Sequence, residues 1–172
     1  EELSEVVGTR LCCPKDQTGL DGRLMLAEAE PLAVSVGIAS MKKQGESVSG
    51  DRGIYFKTVE GVLCVILSDG MGSGETAAKD SLGVVQILEL FLRAGVAPET
   101  AMKMLNSVLL LRGGDGWGYA TVDLMCIDLF TGETGFYKYG AAPSYVLSGR
   151  GVRRVRGESL APGFGVGEEG RP

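Results

Sequence analysis

The chain has 172 residues, 44% of them hydrophobic and 23% charged, which is the composition of one globular domain with a real core. A net charge of −5 and a pI near 4.9 argue against nucleic acid or an anionic membrane as the main partner. Histidine is absent altogether, which excludes Ser-His-Asp hydrolases, histidine-bound zinc and histidine general bases.

Residues 1–31 are weakly patterned and read as a lead-in segment, with a strand expected in "GRLMLAEAE" before a turn at Pro31. In "LAVSVGIAS" (32–40), Val34, Val36 and Ile38 alternate with Ser35 and Gly37, and this alternation predicts a strand. "QGESVSGDRG" reads as a loop, and "IYFKTV" and "VLCVILS" as strands joined by a tight turn at Glu60-Gly61. A helix is expected over Gly74–Arg93, with Ser73 as N-cap, Gly95 as its stop and an apolar stripe of Ala78, Leu82, Val85, Leu88 and Leu92. A second helix starts at Pro98 and carries Ala101, Leu105, Val108 and Leu109 towards Arg112.

After the loop "GGDGWG", a hairpin is predicted from "YATVDLMCIDLF" and "TGFYKYG" about Thr131-Gly132. Another follows from "SYVLS" and "VRRVR" about Gly149–Gly151. Strands, two helices and strands again, with hairpins dominant, give an α+β fold of antiparallel sheets with helices laid on them. The 27 glycines, about twice the usual share, fit a turn-rich chain of this kind. No apolar run approaches the roughly 18 residues needed to span a bilayer. The acidic start at Glu1-Glu2 does not resemble a signal peptide, and a reduced compartment is the expectation.

The four cysteines, Cys12, Cys13, Cys64 and Cys126, contain no C-x-x-C pair, and none has an arginine six positions on. Zinc ribbons and cysteine-phosphatase loops are thereby excluded. Cys64 and Cys126 lie in apolar runs and read as small core residues. Any chemistry then rests on carboxylates, metals, hydroxyls, lysine or a cofactor.

Asp51 stands just before the first strand of the early hairpin and Asp69 ends the second, so hairpin geometry sets both at one rim. Two carboxylates held together repel unless a cation lies between them. A hard divalent ion, Mg²⁺ or Mn²⁺, is the natural guest. The loop after Asp69 is nearly free of side chains, which lets the Gly70 carbonyl approach a metal and leaves room at Met71–Gly74 for a phosphate near a helix N-terminus. Such a centre activates water without histidine, and hydrolysis of a phosphate ester by a metal-bound hydroxide is the matching reaction. Asp-Gly after a strand is also a common turn. "GMGSGE" departs from a dinucleotide loop in having Glu75 where the third glycine belongs, and its strand belongs to a hairpin.

"GVLCVILSDGMGSGETAAKDS", preceded by "VSGD", resembles the phosphatase domain of the stage II sporulation protein E family, within the metal-dependent PPM-type (type 2C) serine/threonine phosphatases. The likeness continues through "PETAMKMLNSVLLLR", "YATVDLMCIDLFTGETGFYKYGAAPSYVL" and "ESLAPGFGV". It implies an α-β-β-α sandwich over 32–172 with a two-metal centre of Mn²⁺ or Mg²⁺. It implies Asp51 and Asp69 bridging the ions, the Gly70 carbonyl as a further ligand and water, not a side chain, as nucleophile. The implied substrate is a phosphoserine on an anti-sigma-factor antagonist protein in sporulation, met on the cytoplasmic side by a parent anchored through an N-terminal membrane region.

The family takes further aspartates from a later Asp-Gly and a C-terminal Asp-Asp pair, which this sequence does not contain; Asp115, Asp123 and Asp128 do not match them. A C-terminally truncated domain is therefore expected, with an incomplete metal site and an open sheet edge or apolar face, and with it either self-association or disorder near the chain's end. The alternative is a catalytically incomplete phosphoprotein-binding or scaffold module. The basic run Arg150, Arg153, Arg154 and Arg156 reads as the solvated face of an edge strand, Trp117 and Tyr119 as loop anchors, and Met102, Met104 and Met125 as core filling.

Overall fold

The computed structural model describes residues 2–13, 25–111, 119–157 and 159–162. Its centre is a four-stranded antiparallel sheet built from β3 (Asp51–Lys57), β4 (Val62–Asp69), β5 (Val122–Asp128) and β6 (Thr134–Tyr139), in that spatial order. Helices α2 (Gly74–Arg93) and α3 (Pro98–Leu111) cover one face. Before them come a short helix α1 (Glu2–Val7) and a small ladder of β1 (Leu11–Cys12) with β2 (Ala27–Glu28). The hairpin of β7 (Ser144–Ser148) and β8 (Gly151–Val155) follows the sheet. The "GGDGWG" loop, Asp115, Trp117 and the last ten positions lie outside the described residues.

Strand alternation divides the sheet cleanly. Phe56, Cys64, Ile66, Val122, Leu124 and Cys126 point to the helices and are buried against Val84, Val85, Leu88, Leu92, Ala101, Met102 and Leu105. The opposite face carries Tyr55, Val65, Leu67, Met125, Ile127 and Phe136, and β7 lies along part of it across a groove of about 760 Å³. Leu67 is 46% exposed there and Tyr55 55%. The hairpin is held to this face by Ser144 Oγ, 2.8 Å from Lys138 Nζ and 3.0 Å from Asp123 Oδ2, and Lys138 and Asp123 form an ion pair beneath it. Asp128 is a turn residue, its Oδ1 accepting from the Phe130 and Thr131 amides at 2.7 and 3.0 Å.

The helices start and stop where their residues dictate. α2 ends in a Schellman motif: the Val96 amide reaches the Phe91 carbonyl at 3.0 Å, and the Gly95 amide reaches Leu92 at 3.1 Å with Gly95 at φ +79°. Of the expected stripe, Ala78, Val85, Leu88 and Leu92 are buried, and Leu82 departs from it. Ala77, Ser81 and Val84 are buried, whereas Leu82 is 39% exposed, because the face that meets the sheet is selected for close approach rather than for bulk. Met104 is likewise exposed on α3 while Met102 fills the core. The expected strand at 32–40 does not form. The segment is irregular, and its Leu32 amide donates to the Leu129 carbonyl at 3.2 Å. β3 is an edge strand of the central sheet and Ile38 lies against its Gly53, yet the segment forms no ladder with it: alternation supplies a face and does not by itself supply pairing.

The first turns of α2 fix the ends of β3 and β4. Ser81 Oγ donates to the Gly50 carbonyl at 2.6 Å, immediately before Asp51. A Cβ placed on Gly50 would stand 2.9 Å from the Ala77 Cβ, and one on Gly70 only 2.0 Å from the Ala77 carbonyl oxygen. Gly70 is thus a glycine because helix backbone lies against it. Gly70→Ala is expected to cost about 3 kcal/mol through a backbone clash that no rotamer relieves, read as a lowered urea midpoint. Ser81→Ala should cost about 1 kcal/mol by the same measurement, since the Gly50 carbonyl keeps a longer contact with the Gly70 amide.

Candidate metal centre

The register of β3 on β4 places Asp51 directly opposite Asp69, both on the face away from the helices. Directly opposed residues of an antiparallel pair hold their Cβ atoms about 4.5–5.5 Å apart. The sequence-derived juxtaposition of these two carboxylates is therefore a ladder pair at the sheet rim. Asp51 is steadied by Ser49, whose Oγ lies 3.3 Å from Asp51 Oδ2 and accepts the Asp51 amide at 3.3 Å. Asp69 is fixed through its backbone: its amide donates to Thr121 Oγ1 at 3.1 Å, and its carbonyl accepts the Thr121 amide at 2.9 Å. Gly70 forms an isolated bridge with Ala120, and the Met71 amide reaches the Tyr119 carbonyl at 2.8 Å. The segment leading into β5, Tyr119–Thr121, therefore holds the Asp69–Gly70–Met71 corner from the other side.

The electrostatics are those of an uncompensated anionic pair. Partial burial, and then the contact and charge of the Asp51 carboxyl, push the Asp69 carboxyl above the usual carboxylate range. Among the described residues, neither carboxylate forms an ion pair with a lysine or arginine. Both open onto a cleft of about 650 Å³, whose other walls include Ile38, Met41, Arg52, Thr121 and the Gly140–Ala142 loop. Facing carboxylates, without a basic side chain between them and open to solvent, form a donor set that suits a hard divalent cation. Among the described residues no cluster of three or more acidic, cysteine or histidine side chains joins them.

The N-terminus of α2 differs from expectation. Ser73 occupies the N-cap position, but its hydroxyl makes no cap bond and instead donates to Glu46 Oε1 at 2.6 Å. A Cβ on Gly74 would stand 2.6 Å from Glu46 Oε2. The space at Met71–Gly74 expected to admit phosphate thus already holds a carboxylate at the positive end of the helix. The loop glycines serve φ values of +97° at Gly72 and +72° at Gly74. Glu46 lies 27 positions from Ser73 in a loop without periodicity, so no pattern in the sequence marks it. Ser81 lies off the apolar stripe, and its bond to Gly50 joins residues 31 positions apart, so no local pattern marks it. The Asp123–Lys138–Ser144 group is one sheet pair plus a hairpin residue, and Asp123 sits opposite Leu67, two positions along β4 from Asp69.

Comparison with known proteins gives these features a family. The family model of stage II sporulation protein E (SpoIIE) matches residues 60–172. Stage II sporulation protein E of Priestia megaterium is 35% identical over 131 residues, covering 76% of this chain and 22% of that protein. Its Bacillus subtilis counterpart is 36% identical over 131 residues, covering 76% and 16%. The structure of the PP2C phosphatase domain and a fragment of the regulatory domain of SpoIIE from Bacillus subtilis superposes with a TM-score of 0.75 at 30% identity, over 95% of this chain and 49% of that one. The chain thus spans less than a quarter of the length of these curated relatives and about half of that solved chain. The order of its sheet and helices is that of the PP2C phosphatase fold, and the chain belongs to the stage II sporulation protein E family.

Proposed function

We propose that this chain is the metal-binding half of a protein serine phosphatase centre acting on a phosphorylated anti-sigma-factor antagonist in sporulation. The observation that carries the reading is the Asp51–Asp69 ladder pair, two carboxylates opposed at a rim with no basic side chain to offset them among the described residues. Their family context, a PP2C-type phosphatase domain, supplies the reaction class. Asp51 and Asp69 bind the ion, and the Gly70 carbonyl, held at the same corner, is a third donor. Mn²⁺ or Mg²⁺ bound there supplies Lewis-acid charge for the phosphoryl oxygens and for activation of water. Ser49 and Thr121 hold the two aspartates in place, and the cleft beside them, about 650 Å³, is where a phosphoserine would enter. Arg52, on the cleft wall, offers a charge to the phosphate.

A second reading, a phosphoprotein-binding or scaffold module without turnover, is favoured by one observation: the described residues bring only two acids to the centre. The two readings separate on a phosphoserine protein substrate with Mn²⁺. Turnover supports the first, and saturable binding without phosphate release supports the second.

Asp69→Asn is expected to remove Mn²⁺-dependent hydrolysis by more than the roughly 10–100-fold that substitution of an outer-shell group costs; unchanged hydrolysis would remove Asp69 from its assigned role. The opposite sign is expected for stability without metal. Asp51→Asn relieves the carboxylate repulsion that pushes Asp69 upward, so its Tm in chelator should exceed that of the parent. Added Mn²⁺ should raise the parent's Tm and leave that of Asp51→Asn unmoved, which thermal scans with and without metal measure directly.

A further inference from the structure

A second pair of reactive groups lies inside the sheet. Cys64 on β4 and Cys126 on β5 are direct ladder partners. Both point to the helical face, at 1% and 7% exposure, and their sulfur atoms are 3.7 Å apart. Both are free thiols. Opposed residues of an antiparallel pair have Cα atoms about 4.5–5.5 Å apart, inside the roughly 4.4–6.8 Å range of disulfides. Bringing the sulfurs to about 2.0 Å therefore asks for side-chain rotation and leaves the backbone in place.

We propose that Cys64 and Cys126 are a reversible dithiol–disulfide site, closed by a hydroperoxide and reopened by a thiol reductant, that joins β4 to β5 covalently beneath the helices. The environment distinguishes the two sulfurs. Hydrogen bonding from Cys126 lowers the Cys64 thiol, burial opposes this and the Arg93 charge adds to it. The Arg93 guanidinium lies 4.4 Å over the ring of Phe56, the β3 ladder partner of Cys64. Its carboxylate partner is Glu89, at 2.8 Å. The Cys126 thiol is pushed up by the Cys64 contact, by burial and by the charges of Cys64 and Glu99. Of the two thiols Cys64 is held lower and is the one that forms a thiolate more readily.

Its thiolate attacks one peroxide oxygen; an S–O bond forms, the O–O bond breaks and hydroxide or alkoxide leaves, giving a sulfenic acid on Cys64. The Cys126 sulfur then attacks the Cys64 sulfur. The S–S bond forms, the S–O bond breaks, and the hydroxyl departs as water with the Cys126 proton. Two thiols and one hydroperoxide yield one disulfide, one water and one water or alcohol. The bond closes a loop 62 positions long that contains all of α2 and α3, so it restricts the unfolded chain.

Cys12 and Cys13 are exposed and supply a competing reaction, so the test uses Cys12→Ser/Cys13→Ser of this chain, treated with hydrogen peroxide. The expected result is a monomer lighter by two hydrogen masses, with free thiols falling from two to none and a raised Tm, all reversed by dithiothreitol. The further substitution Cys64→Ser should abolish the Tm rise. Oxygen adducts without loss of hydrogen, disulfide-linked dimers, or two surviving thiols under conditions that fully oxidise a dithiol peptide would each overturn the proposal.

Discussion

The register of one hairpin governs this structure. Gly53 faces Leu67, Tyr55 faces Val65, and at the end of the ladder Asp51 faces Asp69. A slip of one residue would turn one carboxylate into the helical core and take Phe56 or Cys64 out of it. The apolar set that must be buried and the acid pair that must stay exposed are therefore specified by the same alternation. The turn contributes by fixing the phase: Gly61 at φ +81° and the Thr58–Val62 bond close β3 on β4 in the one register that satisfies both.

Helix α2 then turns a register into a site. It reaches across the ends of both strands, with Ser81 bonded to Gly50 and Ala77 against Gly70, so that Asp51 and Asp69 are held from behind by a single rigid element. Small residues at these points allow the approach; a bulkier stripe would hold the helix away from the strand ends and leave them to the loops. From the front, the segment leading into β5 pins the corner through Thr121, Ala120 and Tyr119. The acidic pair thus stands on rigid elements, although a conformation with two close carboxylates is costly by itself.

Much of this was legible in the residues. The bounds of α2, its stop at Gly95, the hairpins and the meeting of Asp51 with Asp69 follow from local pattern: period, caps, turn residues and strand length. The hairpin turn is longer than expected, four residues from Thr58 to Gly61, and β3 starts at Asp51 rather than Ile54. What was not legible depends on distant partners. The 32–40 segment has strand-like alternation, but the pattern carries no information on whether its backbone pairs with the β3 edge beside it. Leu82 satisfies helical spacing, yet Ser81 lies inward because only a short side chain fits beside Gly50. Glu46 reaches the N-terminus of α2 from a loop with no pattern at all, and it occupies the place that local reasoning left empty for phosphate.

The ion pair beneath the β7–β8 hairpin has a consequence for how the molecule responds to its solution. The Lys138 side chain is 1% exposed, whereas Lys57 and Arg93, in the other two ion pairs among the described residues, are 52% and 49% exposed. Mobile ions screen charges they can surround, and about 0.15 M salt does so over roughly 8 Å. The exposed pairs are weakened accordingly. The ammonium under Ser144 is out of reach of such ions, so the seat of the hairpin on the sheet keeps its strength as ionic strength rises. A change in salt concentration adjusts the rim of this molecule and leaves the attachment of its β7–β8 layer as it was.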